Sequence, residues 1–163
     1  MQKPTALFIG HFQPYHKGHH LVIAGMTKLA GKMVVGVMGK KAGKERPFSM
    51  EERKDMMQRA LQADDIIPMF DVNFVELPEF EDSQEWVEKV LELVGSVDKL
   101  WSGDEKMKAL FEGKLEVQNI SEVPGINAAD IREAIRKGGD WEEKVPEEVL
   151  RAVKEFGGQK RLQ

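Results

Sequence analysis

The stretch ALFIGHFQPYHKGHH, residues 6–20, sets a short apolar run against a Gly and then a turn that holds all four histidines of the chain. Ala6–Gly10 is too uniformly apolar for an exposed sheet and reads as a strand buried on both faces. Gly10 closes that strand where a βα turn brings its backbone close to a ligand. His16 and His19 lie three residues apart at the start of the next helix, so they share one face. Gly18 between them leaves room for a phosphate to reach the helix N-terminus, where unpaired N–H groups and the dipole favour an anion. Two imidazoles, which donate hydrogen bonds whether neutral or charged, complete an anion clamp. A His-x-x-His pair is also half of a metal site, but the sequence holds no second His or Cys cluster to complete one. His20 is given no role.

Working outward, the alternation continues. MVVGVMG (Met33–Gly39), FDVNFVEL (Phe70–Leu77), DKLWSG (Asp98–Gly103) and LEVQNI (Leu115–Ile120) read as further strands. Amphipathic segments over 17–30, 50–62, 83–94, 104–112, 128–137 and 146–156 read as helices. Ser49-Met50-Glu51-Glu52 has capping-box form, and Asn127-Ala128-Ala129-Asp130 is a looser version of it. Gly138-Gly139 supplies a C-cap, and Pro146 suits a first helical position. Strand–helix alternation predicts an α/β fold, a Rossmann-like doubly wound parallel sheet whose ligands bind beyond the carboxyl ends of the strands. At 163 residues the chain reads as a single domain over 1–163, with the tail 157–163 expected to fray.

Composition narrows the function. Hydrophobic residues at 41% beside 32% charged residues describe a globular chain. Cysteine is absent, which excludes a disulfide framework and thiolate metal sites and fits a reducing, cytoplasmic setting. A net charge of −4 argues against a sequence-independent nucleic-acid surface. The longest apolar runs are far shorter than a membrane span, and no secretory leader is expected.

The opening motif resembles a family. GHFQPYHKGHH is similar to the G-R-F-Q-P-F-H-x-G-H opening of archaeal-type nicotinamide mononucleotide (NMN) adenylyltransferases, part of the nucleotidyltransferase superfamily marked by H-x-G-H. RPFSMEER resembles that family's N-P-F-T-x-x-E-R, and WSGDEKMKALFE its Y-S-G-N-P-L-V-x-x-L-F-E. NAADIREAIRKGGDWEEKVPEEVLRAVKE resembles its closing S-G-T-E-I-R-R-x-M with a G-x-x-W-x-x-x-V-P tail. The resemblance implies a single-domain nucleotidyltransferase that moves AMP from ATP to NMN, giving NAD and pyrophosphate, with Mg²⁺ required alongside ATP. It implies His16, His19 and Arg132 as catalytic residues. Gly10, His11, Phe12, Gly18, Gly39, Arg46, Ser102, Gly103, Asp104, Asn127 and Ala129 would line the ATP site. Glu79, Ser83 and Trp86 would face the acceptor, and no residue is assigned as a protein ligand to metal. A homo-oligomer is implied, a hexamer among the forms allowed, and exposed Met and Phe in PMFDVNFV are compatible with one.

Four departures qualify this. His11 stands where the family has an arginine, keeping a donor but losing the permanent charge and the bidentate fork. If His11 must be protonated to hold phosphate, ATP affinity should fall as pH rises. Asn127-Ala128-Ala129 replaces S-G-T, deleting two hydroxyls while sparing a cap and the backbone N–H groups. The loop GKKAGKER is basic, with Lys40, Lys41, Lys44 and Arg46 either solvated or compensating for the lost cation. Ser83 and Glu79 stand for an Asn and an Asp that help read the carboxamide, and Trp86 either stacks on the nicotinamide ring or packs as an ordinary helix residue. Two alternatives therefore stand beside the first reading: the same transfer to another phosphate acceptor, and a non-catalytic nucleotide-binding sensor.

Overall fold

The computed structural model describes residues 2–39 and 45–163. Five strands form one sheet: β1 Thr5–Gly10, β2 Lys32–Met38, β3 Val72–Leu77, β4 Lys99–Ser102 and β5 Glu116–Asn119. All pairings are parallel and the order is β3-β2-β1-β4-β5. Each strand falls within one residue of the run that predicts it, except that β3 begins two residues after Phe70. The helices are α1 Lys17–Leu29, α2 Met50–Ala63, α3 Ile66–Met69, α4 Gln84–Val94, α5 Glu105–Leu110, α6 Ala128–Lys137, α7 Glu147–Glu155 and α8 Gly158–Leu162. A 3₁₀ turn spans Glu142–Lys144. The short α3, α8 and the 3₁₀ turn are not expected from the sequence, because such brief segments carry no periodicity.

Central β1 explains the continuous apolar runs. Ala6 and Phe8 point to one face with Met33, Val35 and Val37, where Ile23 and Met26 of α1, Met56 and Leu61 of α2, Ile131 and Ile135 of α6 and Val149 of α7 cover them. Leu7, Val34 and Leu100 point to the other, against Trp86, Val87 and Val90 of α4 and Met107 and Leu110 of α5. Both faces are sealed, so a strand needs no polar alternation. The chain leaves β1 toward β2 and β3, then crosses back to lay β4 and β5 on the other side. That reversal opens a crevice beyond the carboxyl ends of β1 and β4.

The helix ends follow the sequence closely. Ser49 accepts from Glu52 N–H while the Glu52 carboxylate accepts from Ser49 N–H, the full reciprocal box. Gly138, at φ 71°, ends α6 in the left-handed region. Pro146 sits one position earlier than expected, as the residue flanking α7. No described helix is long and apolar enough to cross a membrane.

The expected fraying of 157–163 is overturned. Gly157 turns left-handed at φ 70° and the chain folds back as α8. Leu162 is buried in the core beneath it. Arg161 forks onto Glu52, Nη1 to Oε1 at 2.6 Å and Nη2 to Oε2 at 2.8 Å, and Nη1 also donates to the Pro47 carbonyl at 3.1 Å. Lys40, Lys41 and Lys44 of the basic loop lie outside the described residues.

Removing residues 158–163 should therefore lower stability by about 2 kcal/mol, the scale of one buried Leu side chain. An unchanged urea midpoint would show that α8 adds nothing.

Candidate active site

The loop between β1 and α1 is tied down by side chains that bond to backbone. Fully buried Arg53 of α2 donates through Nη1 to the carbonyls of His11 at 2.8 Å and Met38 at 2.6 Å, and through Nε to Ser49 at 3.2 Å. Gln13, also buried, exchanges two hydrogen bonds with the Phe48 backbone at 2.8 and 2.9 Å. Arg132 of α6 donates to the Gln13 carbonyl at 2.9 Å. Between these ties Phe12 adopts φ 55°, unusual for a bulky residue. Its ring packs over Gly10, where any added Cβ would lie 2.9 Å from Cζ. Gly10 thus makes room for the Phe12 ring.

His16 and His19 then cap α1 reciprocally. His16 N–H donates to His19 Nδ1 at 3.1 Å, and His19 N–H donates to His16 Nδ1 at 3.3 Å. The rings stack with centroids 3.6 Å apart and planes 15° from parallel. Because each Nδ1 accepts, the neutral rings carry their hydrogen on Nε2, assigned here from the bonding pattern. The Gly18 expectation changes accordingly. A Cβ there would meet His16 Cε1 at 2.8 Å, so Gly18 is needed to seat the imidazole.

Burial keeps these rings neutral. It lowers the His16 pKa to about 4. His19 lies well below its ordinary range, through burial first and then the nearby His16 and His11. His11 is lowered to about 4, by burial first and then by the Arg46 and Arg53 guanidinium groups. Burial and the neighbouring cations thus disfavour the protonated His11 that was expected to grip phosphate. The permanent charge comes from arginine instead.

Two cavities meet at the histidine pair. One, of about 330 Å³, is lined by His11, Phe12, Gln13, His16, His19, Arg46, Glu122, Asn127, Ala128, Ala129 and Arg132. The other, of about 220 Å³, is lined by Phe8, Ile9, His16, Gly18, His19, Val22, Ser102, Gly103, Asp104, Ile120, Ser121 and Glu122. Most of the residues expected around ATP are thus gathered beyond β1 and β4. Asn127 caps α6, its Oδ1 accepting from Asp130 N–H at 2.8 Å and its Nδ2 donating to Asp130 Oδ2 at 2.7 Å. Asp104 caps α5, and Ser102 Oγ accepts from Asp104 N–H at 3.1 Å. Gly39 donates to the Leu77 carbonyl at 2.7 Å, beside Glu79.

The acceptor-side residues are differently engaged. Ser83 caps α4. Trp86 is only 3% exposed, edge-on to Phe80 and Phe111, and its Nε1 donates to the Pro78 carbonyl at 3.4 Å. It packs as a helix residue here, and no stacking face is offered. Glu79 pairs with Arg46, leaving Glu79 Oε2 and His11 Nδ1 buried without a partner. Gln13, Arg53, Glu122 and Tyr15 went unassigned in the sequence. His20, given no role there, bonds to both Tyr15 and Asp64.

The region 7–134 matches the cytidylyltransferase-like family. The chain belongs to that family. It is 30% identical to a nicotinamide-nucleotide adenylyltransferase of Archaeoglobus fulgidus, across 96% of this chain and 94% of that protein. It is 32% identical to one of Methanospirillum hungatei, across 96% and 91%. The solved bifunctional NMN adenylyltransferase/ADP ribose pyrophosphatase of Francisella tularensis shares the fold, with a TM-score of 0.82 at 18% identity over 99% of this chain. This chain spans 53% of that one. A second structure of the Francisella protein holds AMP and a manganese ion, with a TM-score of 0.74 at 18% identity over 99% of this chain and 52% of that one.

Two outcomes test this cytidylyltransferase-like site. The unfolded chain binds more protons than the native one between the ordinary histidine range near 6.5 and the native values near 4. Stability is therefore complete above about pH 6.5 and lost as pH falls toward 4; a urea midpoint equal at pH 7 and 5 would refute it. Gly18→Ala should weaken MgATP binding on the order of tenfold, by titration calorimetry, although Ala is the better helix former. Unaltered binding would show that the His16 ring has room to move.

Proposed function

We propose that this protein transfers the AMP unit of ATP to NMN, giving NAD and pyrophosphate. What carries the reading is the neutral, stacked His16–His19 pair where two cavities join at the switch point of the sheet, with Arg132 and Arg46 alongside. Triphosphate fits the cavity lined by the arginines, and the nucleoside fits the one lined by Ser102 to Asp104. Each Nε2–H donates toward the phosphates, His19 nearest the transferring group. The N–H groups of Lys17 and Gly18, which have no intrahelical acceptor, add the positive end of α1.

The acceptor phosphate is already an anion, so no base is needed. Its oxygen attacks the α-phosphorus in line, the bond to the β-bridging oxygen breaks, and pyrophosphate leaves with the electron pair. Arg132 and Arg46 oppose the charge that gathers on it. A histidine with a pKa near 4 is a poor proton acceptor at neutral pH and a good fixed donor, which suits positioning chemistry. No three His, Asp or Glu side chains gather into a metal set among the described residues. Mg²⁺ enters with the substrate, carried by the triphosphate. The Francisella protein complexed with AMP and a manganese ion supports divalent-metal use.

A second reading keeps the chemistry and changes the acceptor. The closed packing of Trp86 and the Glu79–Arg46 pair favour it, since neither leaves an evident reader for a carboxamide. Self-association fits the edge strand β3, which is preceded by Met69 at 73% and Phe70 at 40% exposure. A monomeric mass by light scattering would remove that part.

The test is pyrophosphate release from MgATP with NMN and a panel of other phosphate acceptors. His19→Ala should lower kcat by about 10²–10³. Release with NMN, lost in the variant, supports the proposal. Release only with another acceptor favours the second reading, and none with any acceptor despite tight ATP binding would make the protein a nucleotide sensor.

A further inference from the structure

Beneath the histidine pair runs a chain of polar groups that reaches the surface. Asp64, at the C-cap of α2, meets His20 Nε2 of α1. His20 Nδ1 lies 2.8 Å from the hydroxyl of Tyr15, whose side chain is fully buried. A carboxylate only accepts, so His20 Nε2–H donates to Asp64, and in the neutral ring Nδ1 accepts from the Tyr15 O–H. Burial and the Asp64 charge both disfavour the phenolate, so the hydroxyl keeps its proton.

The Tyr15 ring lies 5.6 Å from His19 and 19° from parallel, on the same stack as His16. Phe12 closes His19 edge-on at 4.8 Å. His19 is held by one Nδ1 contact and by rings on its sides: His16 stacks on one face at 3.6 Å, and Tyr15 lies near parallel at 5.6 Å. Of these neighbours Tyr15 is the one tethered through its hydroxyl to His20. We propose that Asp64, His20 and Tyr15 are positioning residues that set the plane of His19, and so the aim of its Nε2–H. None of the three touches substrate.

This rests on the nucleotidyl-transfer reading, and the test separates the two. Tyr15→Phe, Asp64→Ala and the double variant are compared for kcat, for KM of MgATP and for thermal midpoint. Each single change should lower kcat on the order of five- to tenfold with KM within about twofold, because the donor remains but is mis-aimed. The double variant should be no slower than the slower single one, as expected of groups acting through one chain. Additive losses, or losses that follow the thermal midpoint or KM, would overturn the proposal. A readout without turnover accompanies it: the ¹⁵N resonances of the His19 ring should move in Asp64→Ala, although Asp64 is two residues removed from that ring. Wild type without pyrophosphate release but with these shifts would defeat the functional reading and keep the relay. Unmoved ring resonances would defeat the relay whatever the activity.

Discussion

The buried guanidinium of Arg53 ties together the three elements from which the site is built. It bonds to the backbone just beyond β1, at the last residue of β2 and at the cap of α2. Parallel strands lose their ladder where they end, and a binding crevice begins at that same place. Something other than strand pairing must then hold the ends in register. A buried cation is costly unless its donors are filled. Here three carbonyl oxygens accept from Nη1 and Nε, and although burial first and then Arg46 lower the Arg53 pKa, the fields of Glu79 and Glu76 act to raise it. With the strand ends fixed, Gln13 and Arg132 can hold the next residues, and Phe12 is kept in a conformation it would not choose alone.

Charge and aim are divided between residue types. The chain is acidic overall, yet the cavity expected to take the triphosphate is lined by two arginines and by imidazoles without charge. Arginine supplies a charge that does not vary with working pH, while the histidines supply donors whose direction is set by backbone bonds. That separation is possible because burial suppresses protonation, so the two imidazoles stack at 3.6 Å without like-charge repulsion.

The layers of the fold were legible because burial on both sheet faces leaves unbroken apolar runs, and because caps such as Ser49–Glu52 and Gly138 have distinctive letters. His16 and His19 were legible from their spacing. Arg53 and Gln13 were not, since their partners are carbonyl and amide groups that every residue carries and no letter announces. The docking of α8 was hidden for a related reason: five residues cannot display a helical period, and Arg161 finds Glu52 across 109 positions. Trp86 was legible two ways, as a ring-stacking residue or as helix packing, and the amphipathic face of α4 buries it with Val87 and Val90.

The reciprocal bonding of His16 and His19 also bears on what the pair refuses. To coordinate a transition metal, an imidazole must present a lone pair on Nε2, and the hydrogen must then move to Nδ1. In each ring Nδ1 already faces a backbone N–H, so that tautomer would set donor against donor twice over. Metal coordination through Nε2 would therefore cost both capping hydrogen bonds of α1, whereas an anion that accepts from Nε2–H keeps them.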